Sequence, residues 1–156
     1  MWADRQGKEK MKIGIRELRD EDIGILAEIE SRSFSMPWTK NDFENLLKHD
    51  YCFYLVALAD EKIAGCCGYT ESCGEATIDN VVVAEQYRGM GIAQKMLGEL
   101  IRRGEESHVH AFTLEVRVGN AAAIHVYEKL GFVSEGIRPN FYEKPTEDAM
   151  IMWCRK

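Results

Sequence analysis

The stretch "VVVAEQYRGMGIAQKMLGEL", Val81 to Leu100, constrains this chain more than any other. A continuous apolar run ends in a short connection holding Gly89 and Gly91. Beyond it, Ile92, Ala93, Met96, Leu97, Leu100 and Ile101 recur on one face, with Gln94, Lys95, Glu99, Arg102 and Arg103 on the other. The pattern predicts a buried strand turning tightly into an amphipathic helix from Gly89 to about Ser107. A helix entered this way presents several backbone N–H groups without intrahelical acceptors, and such a point attracts anions. Gly89 and Gly91 permit positive φ and close backbone approach, and Ala93 keeps the first turn slim, so a pyrophosphate is a natural guest. The turn is not a P-loop, because no Gly-Lys-Ser/Thr follows. It also lacks the third glycine of the dinucleotide-binding fingerprint. A tight turn with no ligand has the same appearance, and the stretch alone leaves both readings open.

The remaining elements fall on either side of this unit. "KIGIREL" alternates as a strand, and Asp20 or Asp22 caps a helix carrying Ile23, Leu26, Ala27 and Ile29. Pro37 and Trp38 make a turn before Thr39, which caps a short helix with Phe43, Leu46 and Leu47 on one face. "YCFYLVALAD" and "KIAGCCGYTES" form a hairpin about Asp60 and Glu61, and "EATIDNVVVA" adds a strand. After the central helix come the strand "AFTLEVRV" and the helix "AAAIHVYEKL", capped by Asn120 and stopped by Gly131. Two strands, "FVSEGIRPNFY" and "EDAMIMWC", close the chain around a turn containing Pro145. The expected fold class is a mixed α/β (α+β) single domain over residues 11–156, with helices on both faces of one sheet. Residues 1–10 are polar and aperiodic, and read as a dispensable extension.

Composition narrows the function. The chain has 156 residues, 46% hydrophobic and 29% charged, enough for a single well-filled core. There is no apolar run long enough for a membrane span and no signal-peptide pattern, so a cytoplasmic protein without membrane contact is expected. Five cysteines, with no C-x-x-C pair, argue for reduced thiols and against a metal site. A formal charge of -6 disfavours direct nucleic-acid binding.

"RGMGIA" resembles the R/Q-x-x-G-x-G/A acetyl-coenzyme A signature of the GNAT acetyltransferases, with Arg88, Gly91 and Ala93 at its defining positions. A second register, from Gln86 through Gly89 to Gly91, also fits, but the step from Val83 to Arg88 favours the first. "SFSMPW", "LEVRVGNAAAIHVYEKLGF" and "IRPNFY…EDAMIM" are similar to the ribosomal-protein alanine N-acetyltransferase (RimI) branch, so the resemblance runs from about Met11 to the C-terminus. It implies a GNAT-like, mostly antiparallel sheet. It also implies direct transfer of an acetyl group from acetyl-coenzyme A to an amine, with no metal.

Carried over by position, the resemblance makes Glu115 the general base and Tyr127 the general acid. It places Asn120 against the cofactor, the backbone of Val81, Val82 and Val83 beside the pantetheine arm, and Arg88, Gly89, Met90, Gly91, Ile92, Ala93 and Gln94 around the pyrophosphate. Trp38 and Tyr142, in aromatic loop segments, are the candidate peptide contacts. On its own residue pattern Glu115 is equally the outward member of a strand, Tyr127 a core tyrosine and Asn120 a helix cap. An α-amino group, with a reference pKa of about 7.7–8.0 against about 10.4 for lysine, is the easier amine for one glutamate to neutralise. This agrees with the partner that the resemblance implies: a protein N-terminus, the alanine of a small-subunit ribosomal protein, acetylated by a monomer or weak dimer. A small-amine or lysine acetyltransferase and a non-catalytic coenzyme A-binding module are the alternatives.

Overall fold

The computed structural model describes residues 11–156; the expectation for residues 1–10 lies outside the described residues. In chain order the elements are β1 (Ile13–Glu17), α1 (Ile23–Ser33), α2 (Lys40–Leu47), β2 (Cys52–Ala59), β3 (Lys62–Ser72), β4 (Glu75–Val83), α3 (Ile92–Glu106), β5 (Ala111–Arg117), α4 (Ala121–Lys129), β6 (Val133–Tyr142) and β7 (Glu147–Arg155). The strands make one sheet in the order β1-β2-β3-β4-β5-β7-β6, and only the β4–β5 pairing is parallel.

Local chemistry explains most boundaries. Asp60 and Glu61 both have positive φ, 48° and 69°, as a two-residue hairpin turn of type I′ requires. Thr39 and Asp42 form a reciprocal capping box at the start of α2, with Asp42 N–H donating to Thr39 Oγ1 at 3.3 Å and Thr39 N–H to Asp42 Oδ2 at 2.8 Å. Asn120 Oδ1 accepts the Ala123 N–H at 3.2 Å and starts α4. The expected acidic cap on α1 takes another form. Asp22 is buried, and its carboxylate accepts both forks of the Arg16 guanidinium, at 2.7 and 2.9 Å, and the Arg19 N–H at 2.8 Å. A buried carboxylate is better satisfied by a bidentate arginine than by helix N–H groups alone.

Neighbouring strand residues feed opposite cores. Cys66 joins Leu26, Phe43, Tyr54, Val56 and Val82 beneath α1 and α2, while Cys67 joins Leu55, Met96, Leu100, Phe112 and Leu114 beneath α3. All five cysteines are free, and Cys66, Cys67 and Cys154 are buried. One irregularity decides where the sheet opens. Tyr69 pairs with Ile78 and Gly68 with Asn80, so Asp79 is an extra residue in β4. Such a bulge bends its strand and reverses which face later residues serve. Ala76 and Ile78 lie in the core under α3, whereas Val82 lies in the core under α1. Pairing with β5 covers only Glu75, Ala76 and Thr77, and beyond Thr77 the two parallel strands splay apart.

Candidate active site

The splay is a gap through the sheet, and it opens a cleft of about 630 Å³. Ile78, Asp79, Asn80 and Val81 form one wall and Leu114, Glu115, Val116 and Arg117 the other. Because the gap passes between the layers, side chains from both faces reach it: Glu30 and Trp38 from the α1–α2 side, and Asn120 and Tyr127 from α4. The end of β6 adds Tyr142 at its rim.

Glu115, Tyr127, Asn120, Val81, Trp38 and Tyr142, all singled out from the sequence, therefore line one cavity. Glu115 is half-buried on β5, opposite Ile151 of β7. Tyr127 is 8% exposed, with its ring 5.9 Å from that of Phe132. Burial raises its hydroxyl pKa, with nearby Tyr142 adding to the effect, so this phenol holds its proton through neutral and mildly alkaline pH. Tyr142 is pushed up to about 12 by burial and by Glu115, against the pull of Arg117. Trp38 serves the wall and the core together: its ring meets Phe43 edge-on at 5.4 Å and lies 6.0 Å from Tyr54.

The glycine turn has the form expected of an anion cradle. Gly89 and Gly91 have φ of 78° and 76°, and a Cβ built on either would meet nothing within 4 Å. The glycines are required by conformation and leave open space above the turn. The helix itself begins at Ile92 rather than Gly89, because the left-handed Gly91 is its N-cap. No side chain caps it, and among the described residues the N–H groups of Ile92, Ala93 and Gln94 have no acceptor. These donors suit a diphosphate. Ile92 is buried and Val82 faces the α1 core, so both contribute backbone only; Met90 is half-exposed. Arg88 is turned away from the helix start: its Nε donates to the Val83 carbonyl at 2.9 Å and its Nη2 to Ser33 Oγ at 3.1 Å. It buttresses the turn against β4 and α1.

The cleft also holds residues that the sequence reading passed over. Asp79, in the bulge, takes the Thr70 hydroxyl on Oδ2, and partial desolvation together with Glu115 raises its carboxyl pKa. Glu30 is 1% exposed; its Oε1 accepts the Trp38 N–H at 3.0 Å, while Oε2 and the neighbouring Asn80 Nδ2 lack partners among the described residues. Burial raises the Glu30 carboxyl. Asp79 showed in the sequence only as a break in the alternation of its strand, and Glu30, between Glu28 and Arg32, had nothing to mark it as buried. Among the described residues no helix is long and apolar enough to cross a membrane.

The chain is similar to a Bacillus subtilis protein at 39% identity, over 92% of this chain and 96% of the relative. An Escherichia coli relative, a ribosomal protein bS18-alanine N-acetyltransferase, is 34% identical over 88% of this chain and 94% of its own. The crystal structure of the ribosomal-protein-S18-alanine N-acetyltransferase from Escherichia coli superposes with a TM-score of 0.86 at 32% identity, covering 92% of this chain and 94% of the other. The sequence model of the acetyltransferase (GNAT) family matches residues 23–132, which hold the glycine turn and both Glu115 and Tyr127 of the cleft, and the chain belongs to that family.

Proposed function

We propose that this acetyltransferase transfers an acetyl group from acetyl-coenzyme A to a protein N-terminal α-amine, the substrate being the N-terminal alanine of ribosomal protein bS18. The observation that carries the reading is the convergence of Glu115 and Tyr127, from successive elements on different layers, on the one cleft opened by the β4–β5 splay. Relatives over nearly the whole length that are named for that reaction support it.

Acetyl-coenzyme A, when bound, supplies a thioester carbonyl open to attack by an amine. The uncapped N–H groups of Ile92, Ala93 and Gln94, with the open space above Gly89 and Gly91, fit its pyrophosphate. Beyond Thr77, β4 has no strand partner on its β5 side among the described residues, so the backbone of Val81 and Val82 is free to pair with an extended arm laid in the gap. Glu115 accepts a proton from the incoming ammonium, leaving the neutral amine that the reaction needs. Tyr127, kept protonated by its burial, gives a proton to the departing sulfur. Trp38 and Tyr142 wall the approach of the peptide.

Incubating the protein and acetyl-coenzyme A with an alanine-starting bS18 peptide, a lysine peptide blocked at its N-terminus, and a polyamine tests this directly. Mass spectrometry is expected to find one acetyl group on the alanine α-amine and at least about a tenfold slower reaction with the other two. Preferential acetylation of the lysine or the polyamine would replace the reading with the corresponding amine.

A further inference from the structure

The end of β6 carries Tyr142 to the cleft, and the three successive carbonyls that follow it in the β6–β7 connection are each held by a side chain. Arg117 Nη2 donates to the Glu143 carbonyl at 3.0 Å and Nη1 to the Pro145 carbonyl at 2.9 Å. Between them, the Lys144 carbonyl accepts Ser35 Oγ at 2.7 Å from the α1–α2 connection. The Arg117 guanidinium also lies 4.5 Å from the centroid of the Tyr142 ring. A planar fork is suited to this task, since it can bridge two carbonyls and stack on an aromatic face at once.

Arg117 is itself fixed from the other side. Its Nη1 meets Glu147 Oε1 at 3.2 Å, and Glu147 Oε2 accepts the Gly119 N–H at 2.7 Å. Gly119 precedes Asn120, the cap of the helix that carries Tyr127. A Cβ on Gly119 would lie 2.8 Å from Glu147 Oε2, so only glycine allows the carboxylate to sit where it meets both partners. The chain of contacts runs from the Tyr142 rim through Arg117 and Glu147 to the start of α4.

We propose that Arg117, clasped by Glu147 over Gly119, is the positioning residue that sets the β6–β7 connection and Tyr142 for the peptide. The kinetic half of this proposal rests on the reading of the cleft as a peptide N-terminus site; the structural half does not. Arg117→Lys keeps a charge for Glu147 but loses the fork. Gly119→Ala leaves Arg117 in place and pushes the Glu147 carboxylate off it.

Both variants are expected to raise the KM for the alanine-starting peptide about tenfold, with the KM for acetyl-coenzyme A moving less than about twofold. A fall in kcat and melting temperature at unchanged peptide KM, or an equal rise in both KM values, would overturn the proposal. Hydrogen exchange reads the clasp without any substrate. Amides of residues 141–144 and 146 are expected to exchange at least about tenfold faster in either variant, with those of α3 unchanged. Unaltered exchange there in both variants overturns the clasp. A wild-type protein inert toward the peptide would instead refute the parent reading, and the exchange result would still decide for or against the clasp. Should Arg117→Lys not fold, Gly119→Ala alone carries both measurements, because its backbone φ is not left-handed.

Discussion

In the proposed reaction Glu115 and Tyr127 move protons in opposite directions, and pH separates the two roles. Glu115→Gln removes the acceptor for the ammonium proton, so turnover is expected to fall by about 10²-fold or more near neutrality and to recover partly as rising pH supplies neutral amine. Tyr127→Phe keeps the ring against Phe132 but removes the donor. Because a thiol with a pKa of about 8.5 leaves tolerably unaided, a fall of about tenfold is expected, without recovery at high pH. Steady-state rates from about pH 6.5 to 9.5, where the α-amine titrates, decide both. Wild-type turnover in either variant would make that residue an ordinary strand carboxylate or core tyrosine. Both residues were marked in the sequence because their spacing matched a family pattern. Arg117 and Glu147 were not, since thirty positions separate two residues whose meeting depends on the pairing of β5 with β7. Asp79 was hidden for another reason. In "EATIDNVVV" the alternation stops at Asp79 and Asn80 and gives way to three valines, a break that reads as the buried end of a strand although it marks the bulge.

At the scale of elements, the proposed pyrophosphate site at the start of α3 ties binding to backbone conformation. Gly91→Val places a β-branched side chain at φ 76° and in the open space above the turn. The left-handed backbone alone costs about 1–2 kcal/mol, which a folded domain survives. Calorimetric titration is expected to show coenzyme A bound at least about tenfold more weakly, beside a melting curve that stays cooperative. Undiminished affinity in the folded variant would move the phosphate site elsewhere. Element order and type were legible throughout, because helical and strand periods are strong and Thr39, Asn120 and Gly131 punctuate them locally. The helix start was placed three residues early. Two left-handed glycines in succession look, in sequence, like the first turn of the helix that they precede. Of the two candidates Asp20 and Asp22, Asp22 does stand at the N-cap of α1, but its side chain makes no cap hydrogen bond to that helix, because its partner Arg16 lies on β1, outside the local window that capping rules read.

For the molecule as a whole, two buried carboxylates pull stability in opposite directions with pH. Burial opposes ionisation of Asp22, but the hydrogen bonds from Arg16 and the Arg19 N–H outweigh it and hold the pKa below its ordinary value. Its stabilising effect is present above the unfolded pKa of about 3.9 and is lost as pH falls through the folded value. Glu30 is the reverse. Its pKa is raised, so the stability it leaves intact below about pH 4.3 is lost as pH climbs through the folded value. Denaturant midpoints should therefore separate two variants. Asp22→Asn is expected to cost about 3 kcal/mol at pH 7 and less in acid, because it strands the Arg16 guanidinium. Glu30→Gln is expected to gain up to about 1 kcal/mol at pH 7 and nothing in acid, while its amide oxygen keeps the Trp38 N–H. A stabilised Asp22→Asn or a destabilised Glu30→Gln at neutral pH would reverse the assignment of signs.

The bulge at Asp79 gives β4 one residue more than its partner β3 can pair. What makes the opening in the sheet is thus an odd count, indifferent to which amino acid supplies it. Exchanging the side chain at that position changes the lining of the cleft and leaves the count intact. Deleting one residue there does not, since Asn80 and Val82 would then trade faces with Val81 and Val83. Here length decides the opening more strictly than letter.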